Sequence, residues 1–227
     1  MSAPAKNTAG LRLYAPRSRQ KLMVKLAGVR KSVAYYLTEP PVRLLARTPV
    51  TPNALTWFGF LLAAGAAALI AAGHLVAAGF VVLVAGYFDI LDGALARRTN
   101  RMSRFGAVLD STLDRLSEAV LLLGISALFL LTGEQPLLFA SLAGEWSVVI
   151  VFVALVGSLL VSYIRARAEA IGAECQIGLF TRGERVVVLI LGLWLNQLAL
   201  ALAIIAVLSF ITVGQRLFYV WRQTKDR

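Results

Sequence analysis

Long apolar segments alternate with short polar ones along most of this chain. Six of them are apolar enough to be predicted as membrane spans, for which roughly 20 apolar residues are typical. They lie at residues 53–72, 75–98, 105–132, 146–170, 184–199 and 199–221. Thr51-Pro52 is a helix-start signal for the first span, whereas Asn196-Gln197 marks the break between the last two. The pattern predicts an all-α integral membrane protein with six transmembrane helices.

Basic residues lie at one end of every predicted span. The 23 lysines and arginines are confined to the first 47 residues and to residues 97–115, 165–185 and 216–227. Cytoplasmic loops of membrane proteins carry such an excess of positive charge. We therefore expect a multi-pass cell-membrane protein with both termini in the cytoplasm. The alternation also argues against nucleic-acid binding as the reason for the formal net charge of +11.

The chain before the first span has a different character. Between Arg17 and Arg47 basic residues alternate with apolar ones, and Pro40-Pro41 divides this stretch into two parts. The pattern predicts an N-terminal amphipathic juxtamembrane helix whose basic residues face membrane lipids, with a mobile basic tail as the alternative. The expected domains are residues 1–50 and a six-helix domain over residues 51–227.

Two predicted spans carry carboxylates near their cytoplasmic ends. Asp89 and Asp92 are spaced i, i+3, and Gly106, Asp110 and Asp114 are spaced i, i+4, i+8, so each set shares a helix face. A charge inside a bilayer costs about 2.5–3.5 kcal/mol on insertion scales. Facing carboxylates need a compensating cation, and oxygen-only ligands favour Mg²⁺ or Mn²⁺. Salt bridges to nearby arginines are the structural alternative.

The spacing of these residues resembles the motif of the CDP-alcohol phosphotransferase family. The positions that match the motif are Asp89, Asp92, Gly93, Ala96, Arg97, Gly106, Asp110 and Asp114. The resemblance extends over residues 51–227. It implies an enzyme that transfers a phosphatidyl-type group from a CDP-linked lipid, expected to be CDP-diacylglycerol, to an alcohol.

The resemblance also implies roles for individual residues. The four aspartates would hold two Mg²⁺ or Mn²⁺ ions, and Asp114 would in addition be the base that deprotonates the acceptor hydroxyl. Binding of the CDP-lipid is implied for Gly93, Ala96, Arg97, Ser103, Pro52, Asn53 and Thr56. For the four of these that lie outside the motif, helix capping and turn formation are the alternative. A homodimer with one site in each subunit is implied as well.

Arginines at the cytoplasmic ends of the last three spans bear on the acceptor. An acceptor that carries its own phosphate needs a cradle of such donors, whereas positive-inside charge alone is the alternative. The stretches SYIRARAE, RGER and QRL resemble the inositol phosphate branch of the family, although Arg165 and Gly183 stand where Lys and Pro are common. This branch implies acceptor-phosphate binding by Ser162, Arg165, Arg167, Arg182, Arg185 and Arg216.

The combined expectation is transfer of a phosphatidyl group from CDP-diacylglycerol to inositol 1-phosphate, with release of CMP at the cytoplasmic side. One alternative is the same transfer to glycerol 3-phosphate, serine or another polyol phosphate. A more distant alternative is a divalent-cation transporter that uses the acidic helices as its pathway. A transporter would place acids near the membrane midplane, whereas these acids lie toward the cytoplasmic ends of their spans.

Overall fold

The computed structural model describes residues 38–132, 146–173, 175 and 177–225, and all the regular secondary structure in them is helical. The chain divides into two compact units, the second being Val50–Arg227. Its helices are α1 (Pro52–Ala71), α2 (Leu75–Arg98), α3 (Arg104–Thr132), α4 (Trp146–Ala170), α5 (Arg182–Trp194) and α6 (Leu198–Lys225). In the first unit, residues 38–45 are helical. The rest of the predicted N-terminal amphipathic helix, residues 17–37, lies outside the described residues.

Local signals set the ends of several helices. The Thr51 hydroxyl accepts a hydrogen bond of 3.2 Å from the backbone N–H of Ala54, and Pro52 follows in the first turn of α1. The turn after α1 contains Gly73 at φ +81°, a left-handed conformation that glycine adopts without steric cost. Asn196 has φ +52° in the short turn between α5 and α6. These turns place consecutive helices side by side.

The helices of the second unit pack around one core. α1 packs against both α2 and α3, α4 packs against α6, and α5 contacts α2 and α6. Contacts between α3 and α4 also connect the first three helices to the last three. Ile70, Leu122, Ile125, Leu193 and Leu202 are buried in the same apolar cluster, so helices from both ends of the unit share it.

Glycines allow two of these helix pairs to approach closely. A Cβ atom added at Gly124 on α3 would lie 2.5 Å from the carbonyl oxygen of Ala67 on α1. On α2, Gly79 lies directly beneath the indole ring of Trp194 on α5. Small residues have this role in membrane helix packing generally, because they bring backbones together. The close contacts fix α3 and α5 against the first helical pair.

Four helices in the described part of the chain are long and apolar enough to cross a membrane. They are α1, α2, residues Ser147–Ala170 of α4, and α6. Charged residues interrupt the first half of α3, and α5 has only 13 residues. At 1.5 Å per residue α5 is about 20 Å long, which is shorter than the roughly 30 Å hydrocarbon core. The predicted fifth segment, 184–199, therefore ends earlier than expected, whereas α6 continues beyond residue 221 to Lys225.

Candidate active site

Three of the four predicted metal-binding aspartates lie together. Asp89 and Asp92 on α2 and Asp110 on α3 each offer a carboxylate oxygen within 4.8 Å of the others. Their helices both pack against α1, and a short connection, residues 99–103, joins them. Asp92 is almost fully buried, whereas Asp89 and Asp110 are partly exposed. The i, i+3 spacing on α2 therefore gives the shared face that the sequence predicts.

Thr56 supports this cluster from α1. Its hydroxyl lies 2.6 Å from Oδ2 of Asp92 and donates a hydrogen bond to that carboxylate. The same hydroxyl lies 3.1 Å from the backbone carbonyl oxygen of Pro52. The resemblance assigns Thr56 to the CDP-lipid, and its contact in the structure is with a predicted metal ligand. A hydrogen bond of this kind orients a ligating carboxylate.

The donor set fits a hard divalent cation. Three carboxylates on two helices supply oxygen ligands only, which suits Mg²⁺ or Mn²⁺. The buried carboxylate of Asp92 is hydrogen-bonded, as a ligand held in a fixed orientation needs to be. Partial exposure of the other two leaves room for water or substrate oxygens on the same ion.

Glycines of the motif lie against polar side chains predicted to bind the CDP-lipid. A Cβ atom added at Gly93 would lie 3.3 Å from Nη1 of Arg97, so the guanidinium covers this glycine. A Cβ atom added at Gly106 would lie 2.9 Å from the Ser103 hydroxyl and 3.2 Å from Oδ1 of Asn53. The Ser103 hydroxyl also accepts a 2.9 Å hydrogen bond from the Gly106 N–H. The connection between α2 and α3 is therefore held close to the start of α1.

Asp114 makes a different contact from the other three aspartates. Its Oδ1 atom forms a 2.5 Å ion pair with Nη1 of Arg182, at the start of α5, although the angle is not that of a hydrogen bond. The same nitrogen of Arg182 donates a hydrogen bond to Oδ2 of Asp89. One guanidinium therefore contacts both a member of the aspartate cluster and the predicted base.

A cavity of about 210 Å³ opens beside Asp114. It is lined by Asp114, Arg115, Glu118, Val161, Ser162, Arg165, Thr181, Arg182, Arg185 and Arg216. Arginines outnumber carboxylates in this lining, so the cavity is suited to an anion. Five of the six residues expected to bind the acceptor phosphate are present. The sixth, Arg167, is exposed and lies outside the lining, because residues two apart on α4 do not share a face.

Two cavity arginines are held by buried contacts. Arg185 donates hydrogen bonds from Nε and Nη2 to the Glu118 carboxylate, at 2.6 and 3.0 Å. Arg216 donates from Nε to the carbonyl oxygen of Ile177 at 2.9 Å and from Nη1 to that of Val161. Gly178 lies against the Arg216 guanidinium at φ +148°. The loop before α5 can therefore approach α6 closely.

Four residues of the cavity lining were not among the predicted site residues: Arg115, Glu118, Val161 and Thr181. Glu118 continues the acidic row of α3 one turn beyond Asp114, so its helical spacing could have indicated it, whereas Arg115 directly follows Asp114 and has no such spacing. Thr181 precedes α5 in the sequence TRGE, which has the spacing of a capping box. In the structure the Glu184 carboxylate accepts a 2.9 Å hydrogen bond from the Thr181 N–H. The capping-box pattern could therefore have predicted that α5 begins at Arg182, directly after Thr181.

A family comparison covers most of the chain. The model of the family described as CDP-alcohol phosphatidyltransferase matches residues 49–219, which include α1 to α5 and α6 except its last turns. The chain belongs to the CDP-alcohol phosphatidyltransferase family. The resemblance noted in the sequence is confirmed, and the protein is a phosphatidyltransferase of the membrane. The cation-transporter alternative has no support in this comparison.

Relatives in this family include enzymes from archaea and bacteria. Archaetidylinositol phosphate synthase of Methanothermobacter thermautotrophicus is 37% identical over 185 residues, which cover 79% of this chain and 87% of that protein. Phosphatidylinositol phosphate synthase of Mycobacterium tuberculosis is 35% identical over 210 residues, covering 88% of this chain and 92% of that protein. Both relatives therefore align over more than three quarters of this chain and over most of their own length.

Solved structures of the phosphatidyltransferase family are also similar in fold. A crystal structure of the M. tuberculosis phosphatidylinositol phosphate synthase with CDP-DAG bound superposes with a TM-score of 0.70 at 34% identity, covering 82% of this chain and 94% of that one. A second, in complex with manganese and citrate, gives a TM-score of 0.71, covering 81% and 88%. This phosphatidyltransferase therefore shares its helical arrangement with a family member of known structure.

Proposed function

We propose that this phosphatidyltransferase moves the phosphatidyl group of CDP-diacylglycerol to a hydroxyl of inositol 1-phosphate, giving phosphatidylinositol phosphate and CMP. The observation that carries the proposal is the position of the arginine-lined cavity. It opens at Asp114, whose neighbour one helical turn earlier, Asp110, belongs to the aspartate cluster. A site for an anionic acceptor thus adjoins a site for a metal-bound pyrophosphate. Both relatives are named for inositol phosphate lipids, which supports the acceptor, and the bacterial relative with CDP-DAG bound supports the donor.

The donor side of the site is assigned to the first three helices. Asp89, Asp92 and Asp110 would hold Mg²⁺ or Mn²⁺, with Asp114 completing a site for two ions. Such ions neutralise pyrophosphate charge and stabilise the departing oxygen. The CDP moiety would be bound near the connection between α2 and α3. The residues proposed to line its pocket are Gly93, Ala96, Arg97, Ser103, Pro52, Asn53 and Thr56.

The acceptor side is assigned to the cavity. Ser162, Arg165, Arg185 and Arg216 would bind the phosphate of the acceptor, since guanidinium groups present paired N–H donors to phosphate oxygens. Binding there would place a hydroxyl of the acceptor near Asp114. The Asp114 carboxylate would accept the hydroxyl proton as the oxygen attacks phosphorus. Arg182 would turn from the carboxylates to the bound phosphate, which frees Asp114 for this step.

The active site is proposed to face the cytoplasm at the lipid–water boundary. The six helices of the second unit would be embedded in the membrane, with both termini in the cytoplasm as the distribution of basic residues predicts. The short helix α5 would begin within the boundary layer, where Arg182 and Arg185 remain near the headgroups. The diacylglycerol tails could then stay in lipid while the nucleotide enters from water. We also propose a homodimer in which each subunit has its own site.

CMP release measures the proposed reaction directly. The purified protein would be incubated with CDP-diacylglycerol and Mg²⁺ and supplied in turn with inositol 1-phosphate, inositol, glycerol 3-phosphate or serine. We expect release with inositol 1-phosphate, and loss of that release in Asp114→Asn. Release with a different acceptor would overturn the acceptor assignment but keep the transfer chemistry. Absence of release with all four would overturn the proposed reaction.

The cavity is tested separately with arginine variants. Replacing Arg165 with Gln removes a charge that lines the cavity and should raise the KM for the acceptor about tenfold, the equivalent of about 1.4 kcal/mol. Arg222→Gln is the matched control, because this exposed arginine lies over the Phe218 ring near the end of α6, away from the cavity lining. If the KM for the acceptor rises equally in Arg165→Gln and Arg222→Gln, general positive charge, and not the cavity, attracts the acceptor.

A further inference from the structure

Glu118 and Arg185 form a buried two-point ion pair between α3 and α5. Both Glu118 oxygens are used, at 2.6 Å from Nε and 3.0 Å from Nη2. The exposed fraction of the Arg185 side chain is 3%, and that of Glu118 is 14%. Glu118 follows Asp114 by one helical turn, so the pair adjoins the proposed base. This is bidentate guanidinium–carboxylate geometry, which fixes the plane of the arginine.

The pairing leaves one nitrogen of Arg185 without a partner. Nη1 is buried and has no hydrogen bond to any residue that the structure describes. Arg185 and Glu118 both line the cavity beside Asp114. Polar groups that are buried in a folded protein are nearly always hydrogen-bonded, so an unpartnered donor beside a cavity indicates a ligand. The Nη1 group and the second N–H of Nη2 form an edge of the guanidinium that Glu118 does not use.

We propose that Glu118 is a positioning residue for the acceptor. It would hold the guanidinium of Arg185 so that its free edge meets phosphate oxygens of the acceptor in the cavity. This inference rests on the proposed function, because it assumes that the cavity receives the acceptor phosphate. Glu118 itself touches no substrate, and it acts through Arg185.

A helix-packing role for the same ion pair makes a different prediction. An ion pair that only joins α3 to α5 would contribute to stability, and its loss would lower activity at every substrate concentration as the fold weakened. A positioning role affects acceptor binding specifically, because the donor site is formed by other residues. The two roles are therefore separated by the kinetic parameter that changes.

Steady-state kinetics of Glu118→Gln is the main experiment. CMP release is measured with inositol 1-phosphate varied at saturating CDP-diacylglycerol, and then with the donor varied. We expect the acceptor KM to rise about tenfold, while kcat and the donor KM change less than about twofold. The matched control is Glu169→Gln: Glu169 pairs with Arg165 at 2.9 Å, but both side chains are more than half exposed and water can replace the carboxylate. An unchanged acceptor KM in Glu118→Gln would overturn the proposal.

A double-mutant cycle tests whether Glu118 acts through Arg185. Arg185→Lys keeps the positive charge but loses the planar guanidinium with its paired N–H donors, and it should raise the acceptor KM by a similar factor. If Glu118 acts through Arg185, the double variant should be little worse than Arg185→Lys alone. If the increases in acceptor KM of the two single variants multiply in the double variant, Glu118 does not act through Arg185. Glu118→Asp, which can restore one oxygen to the pair, should recover part of the affinity.

Calorimetric titration separates failure of this inference from failure of the proposed function. Binding of inositol 1-phosphate to the metal-loaded protein is measured without turnover. Weaker binding to Glu118→Gln than to the unsubstituted protein would support the positioning role even if another acceptor proves to be the substrate. Equal binding to both proteins would overturn it while leaving the transferase proposal intact. Thermal unfolding of each variant checks that the fold is retained.

Discussion

Nη1 of Arg182 lies 2.5 Å from Oδ1 of Asp114, and the same nitrogen also contacts Asp89. The guanidinium at the start of α5 thus supplies positive charge to two of the carboxylates proposed to bind a divalent cation. Arg182 is a counter-ion for these acids in the structure. A divalent cation bound by the same carboxylates would compete with this arginine.

Removing the Arg182 charge should tighten metal binding. In Arg182→Gln the aspartates lose a positive neighbour, so we expect the dissociation constant for Mn²⁺, measured without substrates by electron paramagnetic resonance, to fall about tenfold, or about 1.4 kcal/mol. The same variant should bind the acceptor less tightly. Arg222→Gln serves as a control for net charge. An unchanged or weaker Mn²⁺ affinity would show that Arg182 does not compete with the ion.

Loss of the Thr56 hydroxyl should weaken the metal site without changing its charge. Thr56→Val has nearly the same shape but cannot donate to Oδ2 of Asp92. Outer-shell hydrogen bonds of this kind typically contribute about 10–100-fold in metal affinity, and we expect a loss within this range for Mn²⁺. Thr56→Ser keeps the hydroxyl and should retain affinity within about threefold. If Thr56→Val and Thr56→Ser bind Mn²⁺ with the same affinity, the hydrogen bond is not what orients Asp92.

The contact between Gly124 and Ala67 should limit stability. A Cβ atom at position 124 would lie 2.5 Å from the Ala67 carbonyl oxygen, so α1 and α3 must separate to accept Ala. Overpacking of this kind costs about 1–3 kcal/mol, and Gly124→Ala should lower the melting temperature in detergent. Gly65→Ala is the control on α1, because a Cβ atom there would meet nothing within 4 Å. Equal melting temperatures for the two variants would contradict this account of the helix contact.

Cys175 should react slowly in the folded protein. It is 1% exposed in the loop before α5, and burial raises the pKa of its thiol more than the nearby Arg216 lowers it. The thiolate is the reactive form, so a raised pKa reduces reactivity at a given pH and moves the onset of labelling to higher pH. We expect maleimide labelling at pH 8 to be at least about 100-fold faster after unfolding in SDS. Similar rates before and after unfolding would contradict the burial of this residue.

The reactivity of Cys175 also provides a stability assay. It is the only cysteine of the chain, so a thiol-reactive dye would report its exposure during heating. The same dye could therefore measure the melting temperature of Gly124→Ala. The signal would follow opening of the loop next to the cavity. Agreement with circular dichroism would show that the loop and the helices unfold together.

The sequence predicts the proximity of three of the four aspartates because their geometry is local. Asp89 and Asp92 share a face by their spacing on one helix, and a short connection brings Asp110 to them whatever the later helices do. The same reasoning gives the positions of the first four helices closely.

The contacts of the arginines could not be predicted in the same way. The partners of Arg182 and Arg185 are 93 and 67 residues distant, and they are set by how α5 packs against the earlier helices. Sequence spacing carries no information on such a placement. The end of α5 is hard to derive from the sequence for a related reason, because both segments that flank Asn196 are apolar and a short left-handed turn separates them.

The proposed function assigns the two substrates to different halves of the chain, with the aspartates on α2 and α3 and most of the cavity arginines on α4 to α6. A chimaera that joins α1–α3 of one family member to α4–α6 of another should therefore exchange the acceptor and keep the donor. Two arginines of the second half pair with carboxylates of the first: Arg182 contacts Asp89 and Asp114, and Arg185 contacts Glu118. Asp89 and Asp114 belong to the family motif, whereas Glu118 lies outside it. Such a hybrid needs position 118 to be inherited together with position 185, so these two residues are expected to change as a unit when acceptor choice diverges.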